Sequence, residues 1–220
     1  MFYGTDPRGK PPTVVETRTV MIGPNEVAIE EEHRGFFEPQ PGAPMFDYMI
    51  DLETTGVNSE ENAIIQLAAV RFNLDTKEID TKVFNSCMTL PVGRYWDEGT
   101  REWHMHPDRE KTLIWILQNS EDPTIVMRRF FDWVTNGSAI CSKVFWAKPT
   151  TFDYTFVASY FRQFGLMMPF HYREANDLNS YIRGRGHRDV NKFWKGIEPV
   201  GDAHNALHDC FYQIKGLFNA

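Results

Sequence analysis

Met45-Phe46-Asp47-Tyr48-Met49-Ile50-Asp51-Leu52-Glu53-Thr54-Thr55-Gly56 is the stretch on which the reading of this chain turns. Phe46–Asp51 has the apolar run of a buried strand, and it ends in two acids spaced two residues apart. Side chains on a strand alternate with a period of two, so Asp51 and Glu53 share one face. Two carboxylates held that close repel each other unless a cation lies between them. Matching groups stand far off in sequence: Asp153 in Thr151-Phe152-Asp153-Tyr154, and His204 and Asp209 in His204-Asn205-Ala206-Leu207-His208-Asp209. Four acids and a histidine are the side chains that a two-metal phosphodiesterase needs.

Outward from that strand the pattern is one of strands followed by helices. Ala63–Phe72 reads as a second strand and Lys82–Leu90 as a third, joined by a turn at Leu74–Glu78 into an antiparallel meander. Pro107–Asn119 and Pro123–Thr135 read as helices, each opened by a proline. Ala139–Trp146 is a short apolar fourth strand, Phe152–Phe164 a helix, and Asp202–Phe218 a closing helix with apolar residues at helical spacing. The expected fold class is α/β, a mixed sheet flanked by helices, over residues 44–220. Residues 1–43 differ: they hold six of the 13 prolines, with Pro44 directly after, and read as an N-terminal arm. Thr13–Ile22 and Glu26–Glu32 are expected to form a hairpin around Gly23-Pro24-Asn25. The arm is taken as packed on the domain, with docking of a protein partner as its sharper reading.

Composition narrows the classes. The chain has 220 residues, 42% of them hydrophobic, with 17 Phe, 6 Trp and 8 Tyr, which excludes wholesale disorder. No apolar run is long enough to cross a bilayer, and the residues after Met1 do not read as a secretion signal. Cys87, Cys141 and Cys210 are scattered and odd in number, which fits reduced thiols in a cytoplasm. The Asn136-Gly137-Ser138 sequon then reads as a turn. A net charge of −7 excludes coating of nucleic acid by bulk electrostatics, but not action on a chain end through bound cations.

Hydrolysis of a phosphodiester needs an activated water and shielding of the charge that builds on phosphorus. Two Mg²⁺ or Mn²⁺ ions roughly 3.5–4 Å apart meet that need, and such hard cations take carboxylate oxygens. Asp51, Glu53, Asp153 and Asp209 supply four negative charges for two divalent ions. His204 is the expected general base, with an ordinary pKa suited to neutral pH. His208 is its rival, but it lies one residue from Asp209 and points about 100° away from it on a helix.

Asp51-x-Glu53-Thr-Thr-Gly, Phe152-Asp153 and His204-x-x-x-x-Asp209 together resemble the three motifs of the DEDDh branch of the DnaQ-like 3′→5′ exonucleases. The likeness spans residues 46 to about 218, and Ile65–Val70 is similar to that family's second strand. Gly93-Arg94, Thr100-x-x-Trp103 and Trp146-Ala147-Lys148-Pro149 look more like phage exonuclease A than a proofreading subunit. The resemblance implies an RNase H-like fold and metal-dependent release of nucleoside 5′-monophosphates from a 3′ end. Asp51, Glu53, Asp153 and Asp209 would be metal ligands, His204 the base, and Thr54 and Thr55 would lie beside the terminal nucleotide. Many relatives carry Asn where this chain has Lys148, and a lysine there could contact a phosphate.

Two further features enter as candidate substrate contacts. The basic run with Arg183 and Arg185, reaching Lys192 and Lys195, reads as a flexible loop that holds the substrate backbone. Among Trp96, Trp103 and Trp146, only Trp146, close to Asp153, is taken to stack on a base; the others read as core. His104-Met105-His106 lacks a third ligand and carries no metal reading. The expected partner is single-stranded nucleic acid with a free 3′ end, DNA by the likeness to exonuclease A. An exoribonuclease would use the same quartet, and a non-catalytic adaptor would be expected to have lost one of its members.

Overall fold

The computed structural model describes the backbone of residues 13–22 and 25–34, and the whole of residues 45–135 and 142–220. Thr13–Ile22 (β1) and Asn25–Arg34 (β2) pair antiparallel, in register from Thr13 opposite Arg34 to Ile22 opposite Asn25. Gly23 and Pro24 of the expected turn lie outside the described residues, as do the Asn136-Gly137-Ser138 turn, Cys141 and the start expected for the fourth strand.

Met45–Thr54 (β3), Ile64–Asn73 (β4) and Glu78–Met88 (β5) form the expected antiparallel meander. Ser142–Ala147 (β7) adds parallel to β3 on its other side. Ser120–Glu121 (β6) and Ala175–Asp177 (β8) close the edges, giving a six-stranded mixed sheet in the order β6-β5-β4-β3-β7-β8. The helices are Glu98–His104 (α1), Glu110–Gln118 (α2), Pro123–Thr135 (α3), Thr150–Gln163 (α4), Leu178–Gly184 (α5), Val190–Lys195 (α6) and Ala206–Asn219 (α7). This is the mixed α/β architecture expected, an RNase H-like sheet with helices on both faces.

Strand alternation sorts the core into two layers. Tyr48, Ile50 and Leu52 of β3 pack with Val126, Met127 and Phe130 of α3 and with Phe156, Val157 and Tyr160 of α4. Met49 points the other way, against Cys210, Ile214 and Leu217 of α7. Asp51 and Glu53 continue the Met49 face, so the period of two carries both acids toward α7. Tyr48, Ile50, Phe130, Phe156 and Met49 are all fully buried, each contributing roughly 1.5–3 kcal/mol from burial alone.

Three expectations need correction. α1 was not expected, although Asp97 caps it by accepting from the Thr100 N–H at 2.8 Å. The basic run is a loop only in part: Arg183 and Gly184 end α5, residues 185–189 connect, and Lys192 and Lys195 lie on α6. Their N-caps Asp177 and Asp189 accept from the N–H of Ser180 and of Lys192, local bonds that offset weak apolar periodicity. The closing helix starts at Ala206, four residues later than expected, because Asn205 caps it and His204 has a left-handed backbone (φ 62°) that no helix accepts.

Arg94 fastens the loops at the end of the sheet. It is 8% exposed and donates from Nε to Gln163 Oε1, from Nη1 to the Ser59 and Asn62 carbonyls, and from Nη2 to Ser159 Oγ, all at 2.7 Å. Its guanidinium also lies 4.2 Å from the Tyr160 ring centroid. Arg94→Ala would strand these acceptors in a buried place and is expected to cost about 2–4 kcal/mol. Urea unfolding checks this, and a loss below about 0.5 kcal/mol would contradict it.

Candidate active site

β3 runs past β7. The parallel pairing ends at Met49 opposite Trp146, whereas β3 continues to Thr54. Its free edge therefore carries backbone groups without a ladder partner. Asp153, in the first turn of α4, turns into that gap and accepts a hydrogen bond from the Leu52 backbone. α7 crosses the same end of β3 from the other face. There Gln213 donates from Nε2 to Asp51 Oδ1 at 2.6 Å. Two helices on opposite faces of the sheet so deliver their acids to one strand end.

Glu53, His204 and Asp209 each offer a ligand atom within 4.8 Å of the other two. Asp51 feels the charges of Asp153, Asp209 and Glu53, which closes the quartet. Burial is the first cause of its raised pKa, and the three neighbouring acids add to it. Glu53 is likewise pushed up by burial, then by Asp209 and Asp153. Asp153 is pushed up by burial to about 8, against the pull of its backbone hydrogen bonds. Asp209 rises by burial, although His204, Lys148 and His208 hold it down. Acids in this state are a site that lacks positive charge, and the donor set of oxygens plus one imidazole fits hard divalent cations.

Between Gly201 and Asn205 the chain makes two left-handed residues, Gly201 and His204, both at φ 62°. The His204 N–H donates to Asp209 Oδ2 at 3.1 Å, which ties this loop to the quartet. Burial lowers the pKa of His204 and Arg109 adds to that, while Asp209 opposes it. His208 faces elsewhere: its Nδ1 accepts from the Asp202 N–H at 2.8 Å, and its ring lies beneath Gly201. A Cβ on Gly201 would stand 2.5 Å from that nitrogen. His208 thus clamps the loop that carries His204.

Gln66 anchors the start of α7. It lies opposite Glu53 on β4, accepts from the Ala206 N–H at 3.2 Å and donates to Asn85 Oδ1 at 3.0 Å. Its signal in the sequence was a lone polar side chain within the apolar run Ile64–Val70, left unused.

The expected substrate contacts are placed unevenly around the quartet. Trp146 is 4% exposed, donates from Nε1 to Asp47 Oδ1 at 2.8 Å and meets Tyr181 edge-on, so it is a core residue. Trp103 reverses the other expectation: 41% exposed, it meets the His204 ring edge-on at 4.7 Å. Thr55 is fully buried, donating to the Tyr95 carbonyl and accepting from the Ala63 N–H. Thr54 donates to the Gly56 carbonyl, and its own carbonyl accepts from His104 Nε2. The pairing of β3 with β4 shifts between Glu53 and Thr54, and that irregularity turns both hydroxyls inward. Arg185 donates to the Ala220 carbonyl, at the far end of α7 and roughly 15 Å along the helix from Asp209. Arg183 precedes Arg185 by two residues, in the last turn of α5, and is exposed, and among the described residues no hydrogen bond or ion pair joins it to the quartet. Lys148 is brought there, within the fields of Asp51 and Asp209. Arg109 and Lys111, unremarked in the sequence, line a cleft of about 530 Å³ with Thr112 and the 201–204 loop.

Residues 46–219 match the 3′-5′ exoribonuclease Rv2179c-like domain. The chain belongs to that family. Among solved structures it is similar to the cell-death related nuclease 4 (CRN-4), with 16% identity and a TM-score of 0.59 over 79% of this chain and 62% of that one. It is also similar to E. coli exonuclease I in a zinc-bound complex with single-stranded DNA, with 14% identity and a TM-score of 0.60 over 80% of this chain and 40% of that one. The chain thus spans less than two thirds of the length of either structure, and at these identities the likeness shows the shared fold. No curated protein matches it by sequence.

Metal-free stability should report the cost of burying charge at Asp153. A carboxyl whose pKa is raised by folding holds its proton more tightly in the folded state, so its stabilising contribution is present at low pH and lost as pH rises. For Asp153 that window runs from about 4 to about 8. In chelator, Asp153→Asn is expected to match the wild type near pH 4 and to exceed it near pH 8 by on the order of 2 kcal/mol. A variant less stable than the wild type at the upper end would contradict the burial of this charge.

Proposed function

We propose that this chain is a metal-dependent exonuclease that removes nucleotides from the 3′ end of single-stranded nucleic acid and releases nucleoside 5′-monophosphates. The convergence of Asp51, Glu53, Asp153 and Asp209 with His204 at the end of β3 carries this reading. We assign it to residues 44–220, with residues 1–43 as an arm whose protein partner is a further proposal. RNA is placed first, because the matched family is described as exoribonucleases; this departs from the preference for DNA drawn from the sequence. Retention of the whole quartet favours an enzyme over an adaptor.

Asp51, Glu53, Asp153 and Asp209 are the groups that would hold two Mg²⁺ or Mn²⁺ ions. Such ions, when bound, supply a Lewis acid for the phosphoryl oxygens and lower the pKa of water. The chain's own residues do the rest. His204, kept neutral by its lowered pKa, takes the proton of the attacking water on a ring nitrogen. The Gly201–Asn205 backbone and the His208 clamp aim that imidazole. Trp103 offers its exposed face for a base beside His204, and Arg109, whose guanidinium lies 4.1 Å from the Trp103 ring centroid, supplies a cation at the same ledge. Gln213 orients Asp51.

Digestion of matched 5′-labelled RNA and DNA oligomers with Mg²⁺ or Mn²⁺ tests this. A ladder shortened from the 3′ end, absent in Asp51→Ala and in chelator, is the expected result, with RNA the faster substrate. Intact oligomers of both kinds in the presence of folded protein would overturn it.

Gly201→Ala tests the clamp. The new Cβ meets His208 and the left-handed backbone is strained, so His204 is displaced. The expected loss in kcat is about ten- to a hundredfold, with Tm lowered by only a few degrees. Full activity in this variant would show that the loop does not position His204.

A further inference from the structure

Lys148 follows the last residue of β7, at the carboxyl end of the strands where ligands bind in such sheets. Its ammonium is half-buried. Nζ stands 4.1 Å from the ring centroid of Trp194 and 5.5 Å from that of Tyr212. Asp51 and Asp209 act on it through their fields, yet among the described residues no oxygen accepts a hydrogen bond from it and no carboxylate pairs with it. An ammonium carries three donors, and burying them without acceptors costs free energy.

The cage around it is built and rigid. Trp194 lies flat on Gly216 of α7, where a Cβ would come within 2.2 Å of its ring. Its Nε1 donates to Asn179 Oδ1 at 3.0 Å, and its carbonyl accepts from the Tyr212 hydroxyl at 2.9 Å. α5 and α6, absent from the sequence reading, are the elements that bring Asn179 and Trp194 to this place. Two aromatic rings hold the cation while taking none of its donors.

We propose that Lys148 is a phosphate-binding residue of this site, its ammonium donating to a non-bridging oxygen of the phosphate at the 3′-terminal nucleotide. This rests on the exonuclease reading, which places a phosphate beside Asp51 and Asp209. The two acids keep the lysine charged and close, and the incoming anion supplies the acceptor that the protein withholds. A lysine serving only as counter-ion to the acids would be paired with one of them.

Calorimetric titration of the full chain in Mn²⁺ with adenosine 5′-monophosphate and with adenosine separates the phosphate contact from the rest. The wild type is expected to bind the monophosphate more tightly than the nucleoside. Lys148→Met and Lys148→Gln should weaken the monophosphate by about ten- to a hundredfold and leave adenosine unchanged. Mn²⁺ affinity measured without nucleotide should be unchanged or tighter, since a positive charge has left the acids. Unchanged monophosphate binding in both variants overturns the proposal alone, as does an equal loss for adenosine or a parallel loss of Mn²⁺ binding. A wild type that binds the monophosphate no better than adenosine overturns this proposal and the exonuclease reading together.

Discussion

Four carboxylates of one sign converge at the end of β3 and feel one another's charge, and that is the constraint to which the surrounding structure answers. Left free, such groups would move apart into water, so each must be fixed by something stiffer than their repulsion. Asp51 and Glu53 are fixed by the strand itself, Asp153 by the Leu52 N–H and Asp209 by the His204 N–H. Gln213 and Gln66 then hold α7 against β3 and β4. The energy for this comes from the two apolar layers beneath, where Ile50, Phe130 and Phe156 on one side and Met49, Cys210 and Ile214 on the other are fully buried. The charges cluster because the core leaves the helices no other seat.

The same logic explains why the site forms on this strand. β3 is paired on both sides as far as Met49 and on one side only beyond it. The regular ladder makes the strand rigid, and the missing neighbour makes room. A helix entering from each face can reach the gap, which a fully paired strand would have closed. Left-handed backbone at Gly201 and His204 completes the arrangement by turning the chain sharply before α7 begins. Strain of that kind persists only where neighbours enforce it, here the His208 ring and Asp209.

Much of this was legible in the residues. β3, β4, β5 and β7 and helices α2, α3, α4 and α7 follow from periodicity of two and of 3.6, and the β3-β4-β5 meander from its short connections, whereas the parallel seats of β6, β7 and β8 do not. The converging acids announced themselves because paired charge at the end of an apolar strand has no structural use. α5 and α6 did not, because they are one or two turns long and are set by single capping acids more than by an apolar stripe. Nor could the sequence rank the tryptophans: Trp146 and Trp103 differ only in which neighbours cover them.

The sequence by itself determined the architecture and the chemical groups, since alternation and helical spacing are properties of the local chain. Tertiary structure alone decided how those groups are used. Thr54 and Thr55 became structural through a shift in strand register, and Arg185 was carried to the far end of α7. Trp103 was turned onto His204, and Lys148 was lifted into an aromatic cage beside the acids. Each outcome depends on contacts between segments tens of residues apart, and long-range packing leaves no periodic trace in the chain that makes it.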